Sequence, residues 1–381
     1  MDQIKHTYIQ VDRLKLHVAE IGSESSPTVL FLHGFLEISY TWRHQMIAVA
    51  NAGFRAIAPD YRGYGLSDVP AKPEKTSFAD LVADTAAILD SLSISKVFVI
   101  AKDFGAMVGY IFSLFFPEKL AGIITLGIPY MPPEALQQLQ TLPREPGRAE
   151  ADFGRFDAKT VVRKIYILFS RSEVPIASES QEIMDLVEQS APLPSWFTEE
   201  DLDTYAASYQ KSGFLTALQV PYRSLLERVE PPNHDPNAPI VTAPALFVTG
   251  EKDFFFSFPG MEEYLQGGIQ KYVPNLEIIY LPEGSHFVHE QFPETVNQLL
   301  LNFLKSNKSL LERVEPPNHD PNAPIVTAPA LFVTGEKDFF FSFPGMEEYL
   351  QGGIQKYVPN LEIIYLPEGS HFVHEQFPET R

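Results

Sequence analysis

Three residues able to do covalent and acid–base chemistry each follow closely on an apolar run. Asp103 follows 97–101, Asp253 follows 245–249, and His286 follows Leu276–Leu281. Asp103 is the centre of Ala101-Lys102-Asp103-Phe104-Gly105. Small residues two before and two after it permit the sharp strand-to-helix turn that presents a nucleophile, a turn usually written with serine at its centre. Aspartate there changes the reaction class. A carboxylate is ionised at neutral pH without help from a base, and it can displace a leaving group from a saturated carbon to form an ester. The ester must then be hydrolysed, so a base for water is required. His286 supplies one, and Asp253 would fix its tautomer and stabilise the imidazolium. The chain order of nucleophile, acid and histidine fits such a triad. The competing readings are an N-cap role for Asp103, Glu251 as the acid, and His289 as the base, although His289 lacks the Gly284-Ser285 lead-in of His286. Backbone N–H groups of Phe35, in His33-Gly34-Phe35, and of Phe104, after the nucleophile, are the expected oxyanion-hole donors. His33 itself reads as structural.

These side chains need a sheet to carry them. Short apolar runs at Thr28–Leu32, 54–58, 97–101, 122–126, 245–249 and Leu276–Leu281 read as buried strands. Helical spacing occupies 41–52, 78–92 and 104–115. Strands alternating with helices predict an α/β fold with a mainly parallel sheet and helices on both faces. Residues 130–223 break the rhythm, with many prolines and helical spacing, and read as a helical cap over the strands' C-terminal ends, where open sheets bind ligands. The phenylalanines at 254, 255, 256 and 258 would line an apolar pocket beside Asp253.

Length misleads about size. Residues 224–295 and 309–380 are identical over 72 positions. Repeat units of solenoids are shorter, roughly 20–50 residues, and they diverge, so this is a partial duplication. The expected organisation is a core of 1–129 and 224–305, a cap of 130–223, and a redundant tail of 306–381. The copy carries 11 acidic and 3 basic residues, −8 of the chain's net −20. It lacks the helical stretch at 296–307 that follows the first copy, and a chain ending at Asn307 is expected to be at least as soluble and active as the whole. Asp338 and His371 duplicate Asp253 and His286, so either set is able to complete the site, with the first favoured by its shorter connection. A homodimer by reciprocal exchange of the copies is an arrangement open to the chain.

Composition narrows the partners. A net charge of −20 argues against nucleic-acid binding. No apolar run approaches the roughly 20 residues of a membrane span, and the first residues lack a signal-peptide core, so the chain reads as cytoplasmic. Zero cysteines exclude disulfides, thiolate catalysis and cysteine-held metals. No metal or organic cofactor is expected.

Together the residues around 33–35, 101–105, 253 and 286 resemble the α/β-hydrolase fold family, specifically plant-type soluble epoxide hydrolases. Further matching stretches are Trp42-Arg43-His44-Gln45-Met46, Asp60-Tyr61-Arg62-Gly63-Tyr64-Gly65, Glu145-Pro146-Gly147, Ser212-Gly213-Phe214 and Phe258-Pro259-Gly260. The resemblance spans residues 1–305. It implies a hydrolase acting on an ether bond: a small apolar epoxide is opened by the aspartate, and hydrolysis yields a vicinal diol. It also implies two cap tyrosines that donate to the epoxide oxygen. Tyr222, just before Arg223, matches the second. The first normally lies six residues before Glu145, where this chain has Leu139. Tyr130 would replace it only in a differently folded cap. Leu36 stands where the family has proline, which predicts a looser loop. Ala101-Lys102 replaces the usual Gly-His, and side-chain alternation does not require Lys102 to face the site.

Two other readings stay open. One is a catalytically impaired relative that binds an apolar ligand, which Leu139 and the duplication favour. The other is a haloalkane dehalogenase, disfavoured because Phe104 follows the nucleophile and only Trp42 and Trp196 are available as indole donors. A serine esterase is excluded by Asp103.

Overall fold

The computed structural model describes residues 3–132, 146–175, 177–178, 181–224, 240–258 and 260–312, without the side chains of 221 and 222, together with the backbone of 330–335 and 361–366. Contacts divide the chain into two compact units, Met1–Arg313 and Val314–Arg381.

In the first unit, the predicted apolar runs become β3 (Thr28–Leu32), β4 (Arg55–Pro59), β5 (Val97–Lys102), β6 (Leu120–Leu126), β7 (Ala245–Gly250) and β8 (Leu276–Leu281). Ahead of them lie β1 (Lys5–Val11) and β2 (Leu14–Ile21), which sequence reading did not find. β1 is largely exposed, so its side chains carry no apolar run to read. The eight strands are ordered β1-β2-β4-β3-β5-β6-β7-β8. β1 and β2 pair antiparallel, β2 joins β4 antiparallel, and all later pairings are parallel. Every residue of β3, β5, β6 and β7 is buried. Strands covered on both faces read as unbroken apolar runs rather than alternating ones.

The helices are α1 (Arg43–Asn51), α2 (Phe78–Ser91), α3 (Phe104–Phe115), α4 (Ala158–Phe169), α5 (Glu199–Ser212) and α6 (Pro293–Asn307), with shorter turns between. Ser77 caps α2 in a reciprocal box with Asp80, satisfying N-terminal N–H groups that the helix itself leaves open. Thr198 and Asp201 do the same for α5. α6 buries Val296, Leu300 and Leu304, one stripe with four-residue spacing. Each such buried side chain contributes about 1.5–3 kcal/mol.

Compactness of the first unit runs past residue 305. Leu310 and Leu311, already part of the second copy, pack on the same apolar cluster as α6. In the second unit, β9 (Ala330–Gly335) and β10 (Leu361–Leu366) form a parallel pair in which Ala330 faces Leu361. That register repeats the Ala245–Leu276 pairing of β7 with β8. A chain ending at Glu312 retains every packed residue of the first unit's described core, and its thermal midpoint is expected to match that of the whole chain. A drop of more than about 2 °C, the effect of roughly 1 kcal/mol in a unit of this size, would assign the second copy a stabilising role.

Candidate active site

Asp103, Asp253 and His286 meet at the C-terminal ends of β5, β7 and β8. Asp103 N-caps α3 at φ 51°, ψ −130°, a sparsely populated conformation of the kind that costs about 1–3 kcal/mol and persists where surrounding structure over-determines it. Its N–H donates to Leu126 O at 3.0 Å, tying the turn to β6. Gly250 and Gly284 bring the other two turns together: a Cβ on Gly250 would lie 2.0 Å from Gly284 O. Lys252 N–H donates to Gly284 O at 2.9 Å across the same contact. Backbone contact thus places the Asp253 and His286 turns side by side.

His286 Nδ1 lies 2.9 Å and 3.0 Å from the two oxygens of Asp253, and its Nε2 lies 3.1 Å from Asp103 Oδ2. The other Asp103 oxygen accepts the Phe35 N–H at 2.8 Å. With a carboxylate at each nitrogen, the ring donates from both sides only as imidazolium. Burial by itself depresses the His286 pKa, but the Asp253 charge and the hydrogen bonds to both aspartates outweigh it and raise it to about 9, against an opposing push from Lys102. For Asp103, burial pushes upward. The His286 hydrogen bond and charge, Lys102 and the Phe35 N–H together hold it below the ordinary carboxylate value.

Asp253 also accepts Phe255 N–H at 3.0 Å, so one carboxylate caps a turn and orients the imidazole. Glu251, the rival acid, is exposed. His289, the rival base, is fully buried away from the triad, with Nε2 2.6 Å from Thr41 Oγ1. Burial and the nearby Lys102 and Arg43 charges keep it far below the ordinary histidine range. His33 is buried, donates from Nδ1 to Gly34 O at 3.0 Å and accepts Tyr61 N–H at Nε2 at 3.3 Å. Both ring nitrogens are committed, which is a structural role.

The loop after β3 is tight rather than loose. Leu36 is fully buried at φ 53°, which a proline ring locked near φ −65° cannot adopt. The turn brings the Glu37 carboxylate back onto Gly34 N–H at 2.9 Å. Gly34 has no room for a side chain: a Cβ would stand 2.4 Å from Asp103 Cβ and 2.8 Å from Glu37 Oε2.

Behind the triad lies a buried polar cluster that sequence reading missed. Lys102 Nζ is 3.2 Å from Glu37 Oε1, and β5, buried on both faces, offers this side chain no solvent face. Arg43 pairs with Glu290 at 2.8 Å and with Asp201 of α5 at 3.0 Å. Tyr166 of α4 and Tyr205 of α5 donate to Glu290 at 3.3 Å and 3.4 Å. The helices of 146–224 are therefore joined to the sheet through Glu290 and Arg43. Glu37, His289 and Glu290 place three ligand-type atoms within 4.8 Å of one another. Lys102 and Arg43 already neutralise that cluster, so the donor set is not suited to a further cation.

The Phe254 ring lies 5.0 Å from the His286 ring and 5.1 Å from Phe169. Phe104 opens α3 directly after Asp103. Tyr130 packs 5.4 Å from Tyr110 and 5.0 Å from Tyr272. Tyr222 lies in the turn Gln219–Arg223. That turn is held on both sides: Tyr64 Oη donates to Val220 O at 2.6 Å, and Arg223 bonds Glu150 at 2.5 Å. The side chain of Tyr222, and all of Leu139, Asp338 and His371, lie outside the described residues. Trp42 is buried against Phe31 and His289.

The fold has a counterpart among known proteins. A family model described as the alpha/beta hydrolase fold matches residues 27–293. The chain belongs to the α/β-hydrolase fold family. Epoxide hydrolase 2 of Siraitia grosvenorii is 35% identical over 320 residues, covering 80% of this chain and 99% of that protein. An epoxide hydrolase from Vigna radiata superposes with a TM-score of 0.71 at 33% identity, over 80% of this chain and 99% of the other. Potato epoxide hydrolase I gives 0.69 at 31%, with the same coverage. Within the α/β-hydrolases, the chain is thus of the plant-type soluble epoxide hydrolase kind. Four-fifths of its length accounts for nearly all of each relative. No helix among the described residues is long and apolar enough to cross a membrane.

Proposed function

We propose that the protein hydrolyses an apolar epoxide to a vicinal diol through a covalent ester on Asp103. The observation that carries this reading is the buried His286 imidazole between Asp103 and Asp253, with Phe35 N–H on the nucleophile's second oxygen. The ionised Asp103 attacks one oxirane carbon, and the C–O bond to that carbon breaks. The resulting alkoxide takes a proton donated through Tyr222 and ultimately lost by the His286 imidazolium. In the second half-reaction, neutral His286 removes a proton from water as the hydroxide adds to the ester carbonyl carbon. Phe35 and Phe104 N–H groups stabilise the oxyanion. Collapse releases the diol, whose oxygen takes the hydroxyl proton, and restores carboxylate and imidazolium. Epoxide plus water gives diol, with no proton left over.

With Leu139 in place of a second tyrosine, the acid assistance falls on Tyr222. A positioned acid is typically worth about 10²–10⁴ in rate, so ring opening is slowed but not abolished. The apolar rings of Phe254 and its neighbours suit a lipophilic substrate and require no steering charge. A dehalogenase reading has no support from Trp42, which is buried against Phe31 and His289. The test is diol release from a lipophilic epoxide by the whole chain. Ligand protection without turnover would favour the binding-only reading instead.

Gly34→Ala is expected to lower diol release at least about a hundredfold, because misplacing a reacting group by an ångström costs that much. Steady-state kinetics on the folded variant, with activity within threefold of wild type, would contradict the packing argument.

A further inference from the structure

We propose that Lys102 is a positioning residue for ester hydrolysis: its buried ammonium drives His286 to the neutral form once Asp103 has become an ester. The inference rests on the covalent reading above and deepens it. Lys102 ends β5, is 1% exposed, and reaches sideways to two loops at once. Its Nζ is 3.2 Å from Glu37 in the loop after β3. It also lies over the Phe287 ring, 4.4 Å from the centroid, and Phe287 is the residue that follows His286. A buried ammonium is expensive unless paired, and here a carboxylate and an aromatic face compensate it. With water excluded, its field reaches neighbouring groups more strongly than it would through solvent.

The charged groups facing His286 are Asp253 from the β7 turn, Asp103 from the β5 turn, and Lys102. Glu37 pairs with Lys102, Glu290 pairs with Arg43, and His289 is neutral. In the resting site, two carboxylates against one ammonium hold the imidazolium. Esterification removes the Asp103 charge and leaves one carboxylate against one ammonium. The balance at His286 then tips toward the free base, whose Nε2 lone pair is what water attack requires. The Glu37 carboxylate, paired with Lys102 at 3.2 Å, offsets this only in part. Lys102, not Glu37, is among the groups that act most strongly on His286.

The sign follows. Removing the ammonium lets His286 keep its proton to higher pH in the ester state, so hydrolysis needs more alkaline conditions. The experiment is a single-turnover reaction of the full chain with a lipophilic aryl epoxide, quenched and read by intact mass across neutral pH, so that ester formation and decay are timed separately. In Lys102→Met, the midpoint of ester decay against pH should rise by about one unit, within the range a neighbouring charge produces. Decay below that midpoint should then be about tenfold slower. Ester formation should change much less, and Lys102→Arg should keep the wild-type midpoint. Lys102→Met leaves Glu37 buried without its cation. If that variant does not fold, Lys102→Met with Glu37→Gln removes both charges, and the midpoint should still rise. An unmoved midpoint in the folded variants, or an equal rise in Lys102→Arg, overturns the role of Lys102 while leaving the ester mechanism standing. Absence of any ester in wild type and His286→Gln overturns both.

Discussion

Replacing Asp103 by asparagine is expected to reduce diol release by at least about 10⁴-fold, the scale of losing a covalent nucleophile. The change is nearly isosteric. The side-chain carbonyl oxygen can still accept Phe35 N–H, and the amide can donate to a neutral His286 Nε2. The strained backbone at φ 51° is no worse for asparagine, which tolerates positive φ better than most residues. The fold should therefore survive, and the loss should be chemical. Loss of the carboxylate also removes one of the two groups that raise His286, so its titration should move downward, a shift that ring-proton NMR can follow. Turnover within tenfold of wild type, in a folded variant, would mean that another group attacks the epoxide.

Replacing His286 by glutamine is expected to separate the two half-reactions. Asp103 is already ionised without the histidine, and Tyr222 still donates to the alkoxide and recovers its proton from solvent, so ring opening continues, although the carboxylate loses the partner that helps hold its pKa down. Water has no base, and hydrolysis slows by about 10²–10⁴-fold. The expected time course is a burst of about one equivalent, followed by near-arrest. Gly250 and Gly284 still hold the turns together by backbone contact, so the vacated site should remain shaped for substrate.

The residues proposed to carry chemistry were legible because each sits at a strand end with a local signature. Asp103 has small flanking residues, and His286 has Gly284-Ser285 before it. Most of the sheet was legible for a similar reason: strands buried on both faces leave unbroken apolar runs. Two things escaped. The β1–β2 pair went unread, β1 because its side chains are mostly exposed. The cluster of Glu37, Arg43, Lys102, Asp201 and Glu290 escaped because its members lie far apart in the chain and, one at a time, look like surface charges. Lys102 shows the physical reason well. Alternation predicts a solvent side only for a strand that has one, and β5 has none. Leu36 is a second instance: the loss of a proline suggested looseness, whereas the loop uses a φ that proline forbids.

The most direct measurement of the central claim is the intact mass of His286→Gln after incubation with a saturating lipophilic epoxide, followed by peptide mapping. The expected result is a mass gain equal to one epoxide, confined to the peptide that contains Asp103 and absent from Asp103→Asn. No mass gain in His286→Gln, while wild type releases diol and Asp103→Asn does not, would contradict a covalent ester that depends on His286 for its hydrolysis.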